Sequence, residues 1–285
     1  MERCHVHGLK GGEKMKKVKI CMTIGLIITI LGAIAFAVGF GLLDWNVNSL
    51  GSIAYKNITV TETADTQKIA VDFTETEIVV RTDESAREIT VTYPEKYYYT
   101  GEKLSSVAVS NENGALTLTE TADIKWYHRL VQINFAVPKI EIVLPADGAY
   151  DVDISSQNAS VRVEGGRYRA LSLKTTNGSI ALSNVQAESA ELSTFNGKID
   201  LADVICGRID AKTSNAAIAL EALESDDVSL KTTNGAIKGT VRGNAGDYKI
   251  TAVTSNAANN LQNTESGSKS LSVYTENAPI DIKFI

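Results

Sequence analysis

Glu191 and Asp210 stand 19 residues apart, at the same place in a repeating unit. If successive units stack as strands, these carboxylates are neighbours about 5 Å apart. At that separation two carboxyl groups can work as acid and base on a glycosidic bond. Their surroundings argue for a plainer role. Lys174, Lys212 and Lys231 recur two positions further along the same units, which makes a solvated face of mixed charge the expected reading.

Other reactive residue types are sparse. Beyond residue 43 the chain has one histidine, His128, without the closely spaced partners a zinc site needs. Cys4, His5 and His7 lie in a short N-terminal tail that offers neither a fourth ligand nor a scaffold. There is no G-x-S-x-G elbow, phosphate-binding loop or Gly-rich calcium nonapeptide. The expectation is a non-enzyme without cofactor or metal. Large aromatics concentrate in two places, Tyr97-Tyr98-Tyr99 after Pro94 and Trp126-Tyr127-His128-Arg129. Aromatics beside Arg suit a contact surface, so Tyr97, Tyr98, Tyr99, Trp126, Tyr127 and Arg129 are candidate partner contacts; packing of an irregular cap is the competing role.

The elements that would position these residues follow from a beat of asparagines: Asn158, Asn177, Asn196, Asn215, Asn234, Asn256 and Asn277. The first four steps are 19 residues and the last two are 22 and 21. Two before each Asn is a hydroxyl residue, among them Thr175, Thr194, Thr213 and Thr232. Four and six before it the residue is apolar, and three after it stands Val or Ile, with Asn259 the exception. This is strand alternation whose phase slips at the Asn, so each unit is a strand, a corner, a second strand and a return. The residue after the Asn is Gly in three copies and Ala in four. A two-residue hairpin turn needs positive φ at both central positions, which Ala resists. A parallel β-solenoid needs one left-handed corner residue, a conformation Asn tolerates. The pattern predicts an all-β, parallel solenoid of about seven coils, with the Asn and Thr columns as stacked structural ladders. Seven coils at about 4.8 Å span on the order of 30 Å.

Residues 20–43 carry no charge and, as a helix, reach roughly 36 Å, enough to cross a hydrocarbon core of about 30 Å. Arg3 and five lysines precede this run against Glu2 and Glu13, while Asp44 follows it. The bias predicts a cytoplasmic N-terminus (residues 1–19), an uncleaved transmembrane signal-anchor (20–43) and an extracytoplasmic remainder. Ala35-Phe36-Ala37 is the site a signal peptidase would use in the alternative, but the apolar run continues past it. Met15 offers a second possible start. The chain has 28 cationic and 34 acidic residues; those preceding the helix leave 22 and 32 beyond it, a net of −10. That excess argues against nucleic acid as a partner. Only Cys206 lies beyond the helix, so no disulfide forms within the external part.

Residues 44–56 read as a stalk and 57–150 as an irregular β region capping the solenoid on its membrane side, with strand-like runs at 68–80, 88–93, 106–118 and 133–144. Asn113-Gly114 reads as an irregular early copy of the repeat. Residues 151–285 are the regular coils. Asn259 and Pro279 suit a terminal coil that should not recruit another strand. KIAVDFTETEIVV from Lys68, KIEIVLPAD from Lys139 and the tandem T-x-N-G-x-I units together resemble the bacterial putative-adhesin β-strand-repeat family, over residues 56–285. The resemblance implies an extracytoplasmic β-solenoid behind one membrane helix in Gram-positive envelope proteins, a domain of unknown function. It brings no catalytic residues. The expected function is adhesion or cell-envelope interaction, with a cell-wall glycan or another envelope protein as partner. A regulatory subunit of an envelope-stress response and a glycan-active β-helix enzyme are the alternatives.

Overall fold

The structure, a computed structural model, describes residues 10–41, 54–63, 65–97, 101, 103–122 and 139–285. They fall into two units, an N-terminal helix and a β unit.

Helix α1 runs Lys10–Gly41. It therefore begins within the segment expected to be a tail. Its stretch Lys19–Val38 is long and apolar enough to cross a membrane, a property that anchors and signal sequences share. The Thr23 and Thr29 hydroxyls donate back to the Lys19 and Gly25 carbonyls, both at 2.9 Å. No hydrogen bond to water is needed there, as an apolar medium demands.

Among the described residues the β unit holds nineteen strands. The first seven are β1 (Ala54–Glu62), β2 (Lys68–Phe73), β3 (Ile78–Asp83), β4 (Ile89–Tyr97), β5 (Ser105–Glu112), β6 (Ala115–Ala122) and β7 (Ile140–Pro145). The next six are β8 (Ala149–Ser156), β9 (Val161–Glu164), β10 (Arg167–Lys174), β11 (Ile180–Ser183), β12 (Gln186–Ser193) and β13 (Ile199–Ala202). The last six are β14 (Ile205–Lys212), β15 (Ile218–Lys231), β16 (Ile237–Val241), β17 (Tyr248–Thr254), β18 (Lys269–Thr275) and β19 (Ile280–Phe284).

These strands wind into the expected parallel solenoid. Each coil places one strand in a longer-stranded face and the next in a shorter-stranded face. The longer face runs β5-β6-β2-β8-β10-β12-β14-β15-β18-β17. The shorter runs β1-β4-β7-β3-β9-β11-β13-β15-β16-β19. Strand β15 turns the corner and belongs to both. Parallel register puts like on like: Leu173 faces Leu192, and Ile180 faces Ile199. Alternate residues of both faces enter one continuous apolar core, with Ile154, Leu173, Ile199, Ile218 and Ile237 fully buried.

The corner between β2 and β3 lacks the asparagine. Strands β2-β3 and β6-β7 stack in parallel on the regular coils, so the solenoid reaches into the region expected to be irregular. Asn113-Gly114 is a different device from the repeat it was expected to copy. Both residues have positive φ (53° and 74°), and they close an antiparallel hairpin between β5 and β6.

Chain order and stacking order differ at each end. Strand β2, not β6, contacts β8, so the second coil lies outside the first. At the other end β18 sits between β15 and β17, so the last coil in sequence lies inside the penultimate one. Pro279 is therefore not in the terminal coil, as expected, but one coil in, where its carbonyl accepts the Ile237 N–H at 3.1 Å. The true edge is β17, and side chains seal it. The Ile250 N–H donates to Thr264 Oγ1 (2.9 Å) and the Ala252 N–H to Asn263 Oδ1 (2.7 Å). Thr264 Oγ1 donates to the Tyr248 carbonyl at 2.8 Å. On the shorter face Asn260 gives Nδ2 to the Ile282 carbonyl and takes the Ile282 N–H. At the opposite end Lys96 of β4 and Glu120 of β6 form an ion pair at 2.7 Å, with side chains 7% and 1% exposed. Glu120 also accepts the Thr74 N–H at 3.2 Å. A buried pair of this kind is a junction that tolerates loss of neither partner.

Deleting residues 269–285 should strip two edges at once and abolish a cooperative thermal transition followed by circular dichroism. Deleting residues 197–215, one whole period from the middle, should leave a cooperative transition at a lower temperature.

Candidate functional site: the asparagine corner

The corner between the two faces is built from a buried hydroxyl column and an exposed amide column. Thr175, Thr194, Thr213 and Thr232 are buried, with exposures of 8, 5, 2 and 0%. Each hydroxyl donates to a carbonyl of the coil before it: Ala159 (3.1 Å), Gly178 (3.0 Å), Gly197 (2.9 Å) and Ala216 (3.1 Å). In three of these coils the same oxygen also accepts its own corner's N–H, from Gly178, Gly197 and Gly235 at 3.1–3.2 Å. One hydroxyl thus closes the corner and ties it to its neighbour, which satisfies polar groups that burial would otherwise penalise. At Gly178 and Gly197 the backbone of one coil approaches that of the coil before it closely. A Cβ on Gly178 or Gly197 would stand 1.7 Å from a carbonyl oxygen of the preceding coil.

All seven asparagines are exposed and form one unbroken amide ladder. Six bonds link them, each from the Nδ2 of one asparagine to the Oδ1 of the next at 2.6–2.8 Å. The ladder runs 158, 177, 196, 215, 234, 277, 256, which is the stacking order rather than the chain order. The expectation that these asparagines adopt the left-handed conformation is corrected. None of them has positive φ. The left-handed column is at the other corner: Gly165 (71°), Asn184 (55°), Asp203 (51°) and Ala222 (53°), again 19 residues apart. Each precedes the return to the longer face, where Val185, Val204 and Leu223 are fully buried. The clue was present in Gly165, Asn184 and Asp203, which are residue types that tolerate this conformation, but Ala222 obscures it.

The carboxylates expected on neighbouring strands do face each other in register, Glu191 on β12 and Asp210 on β14. Lys174 Nζ lies 3.0 Å from Glu191 Oε1, with both side chains at least half exposed. Ser229 Oγ reaches Asp210 Oδ1 at 3.5 Å. Lys231 lies over the Tyr274 ring, 5.2 Å from its centre. This is a solvated, mutually compensated face. Among the described residues no group of three or more His, Cys, Asp or Glu is placed to hold a metal ion. Cys206 is buried, its Sγ 2.9 Å from the Arg208 carbonyl, and burial pushes its thiol pKa up to about 11. It is an inert core residue. Of the aromatic contacts expected, Tyr97 ends β4 with its hydroxyl on Glu95 at 2.5 Å. Lys103 holds the other carboxylate oxygen at 2.6 Å. Tyr98, Tyr99, Trp126, Tyr127 and Arg129 lie outside the described residues, as do His128, Cys4, His5 and His7.

Thr194→Val should lower stability by about 1–3 kcal/mol, because it leaves the Gly197 N–H and Gly178 carbonyl unpaired in the interior. Asn196→Ala should cost less, since water replaces the exposed amide; urea titration of both variants measures the difference. At the opposite corner Ala222→Gly should raise the melting temperature by relieving a left-handed Ala. Ala181→Gly, in a regular strand, should lower it.

A search of curated proteins finds no match to the chain. Among solved structures, a putative cell adhesion protein from Clostridium sporogenes ATCC 15579 aligns with a TM-score of 0.38 at 10% identity, covering 82% of this chain and all of that one. A putative adhesin from Bacteroides fragilis NCTC 9343 gives 0.41 at 12% identity, covering 82% and 97% of the two chains. One from Parabacteroides merdae ATCC 43184 gives 0.41 at 12%, covering 81% and 96%. Likenesses this distant carry no activity across. The Toastrack DUF4097 family model matches residues 66–281, from the turn before β2 into β19. With the match spanning nearly the whole β unit, the chain belongs to the Toastrack DUF4097 family.

Proposed function

We propose that this chain is a non-enzymatic, membrane-anchored protein that holds its solenoid outside the cell for adhesion or envelope interaction, with its N-terminus in the cytoplasm. The observation that carries this reading is the charge asymmetry about α1. Six cations against two acids precede the apolar stretch, and a net charge of −10 follows it. The acidic β unit suits neither nucleic acid nor an anionic membrane surface as a ligand. The corner architecture supports a scaffold rather than a catalyst, because its hydroxyls and amides tie each coil to the next along the stack. The partner proposed is a cell-wall glycan or another envelope protein.

The buried, weakly acidic Cys206 makes a clean test possible. Ser155 is exposed, and Ser155→Cys places a reactive thiol on the solvent face of β8. In intact cells stripped of their wall, a membrane-impermeant maleimide should label this variant and not the parent, and the labelled chain should sediment with membranes. Labelling only after permeabilisation would overturn the topology. Labelled protein in the medium would show cleavage rather than anchoring.

A further inference from the structure

We propose that the exposed corner centred on Phe195 binds a neutral, extended oligosaccharide, with the phenyl ring as stacking platform and the asparagine ladder as hydrogen-bonding rail. This names a ligand class for the envelope-binding reading above and rests on it.

Phe195 occupies the position before the ladder Asn, where every other regular coil carries a polar residue. The coils on either side place Thr176 and Ser214 there. Phe195 is 54% exposed although its backbone is firmly held. The Phe195 N–H donates to the Thr176 carbonyl (3.1 Å), and its carbonyl accepts from Ser214 (3.1 Å) and Asn215 (3.0 Å). The corner therefore folds without an aromatic, as its neighbours show, and the ring sits on a rigid support with most of its surface in water. Single exposed apolar side chains are ordinary on protein surfaces. This one is set apart by what flanks it.

An Asn amide has two N–H donors and an oxygen with two lone pairs. The ladder consumes one donor and one lone pair per coil, at Asn177, Asn196 and Asn215 alike. The remaining donor and acceptor repeat at the inter-strand spacing of about 4.8 Å, close to the advance of one pyranose in an extended chain. An apolar ring face bordered by neutral donors and acceptors matches a sugar, which has a C–H face and a rim of hydroxyls. The flanking charges compensate each other, Lys174 with Glu191 and Lys198 with Asp200, so the corner selects neither anions nor cations. A peptide strand is a poor fit, because the corner's backbone groups already bond from coil to coil and offer no free edge.

The test is isothermal titration of the full chain in detergent with chitohexaose and with cellohexaose. Binding of at least one is expected. Phe195→Ser, which installs the residue the next coil already carries, should weaken it at least tenfold with an unchanged melting temperature, while Phe195→Trp should preserve or tighten it. Absence of binding to both sugars, or equal binding by the parent and Phe195→Ser, would overturn the assignment. Thiol labelling from outside the cell is read independently, so a chain that faces outward and ignores these sugars keeps the envelope reading and loses this one.

Discussion

A coil whose backbone hydrogen bonds all run to the coils above and below cannot choose its residues independently of them. Parallel register stacks each position on its own counterpart, so any polar group turned inward must be satisfied by a copy of itself or by backbone one layer away. Threonine meets this demand because one hydroxyl both donates and accepts. Thr194 takes the Gly197 N–H of its own corner and gives its proton to the Gly178 carbonyl beneath. Asparagine meets the same demand in the exposed column with separate donor and acceptor atoms. Leu, Ile and Val fill the remaining inward positions because stacked aliphatics need no partner.

Repetition creates the problem the ends must solve. A regular coil is equally ready to pair with a foreign strand. The C-terminal end answers with side chains that imitate a further strand, Asn263 and Thr264 against β17 and Asn260 against β19. The N-terminal end answers by reversing direction, with antiparallel β1, β4 and β5 laid beside the parallel coils. The Lys96–Glu120 pair joins the two faces there. Both ends also depart from chain order, and the asparagine ladder records this by placing Asn277 between Asn234 and Asn256.

Much of this was legible in the residues. The period, the inward columns and the parallel winding follow from apolar alternation phased on Asn, and register matches like with like. The left-handed corner was not, because its four residues are of four different types and one is Ala222. The coils formed by β2-β3 and β6-β7 were hidden too. The corner between β2 and β3 carries no Asn, and the hairpin at Asn113-Gly114 precedes β6. Nor could spacing reveal that β18 slots inside β17, since a coil of either order has the same composition. At the candidate site, ladder membership was readable. The exposure of Phe195 was readable only once the corner's outward positions were known.

The sealed edge beyond β17 bears on how such a chain changes length over generations. A unit added outside β17 would meet side-chain caps instead of open backbone and find nowhere to stack. A unit duplicated between Asn158 and Asn234 would meet identical neighbours on both sides, since those steps are all 19 residues. Lineages of this protein should therefore vary in the number of central coils while keeping both terminal arrangements, with the newest copies in the middle and the oldest sequences at the two ends.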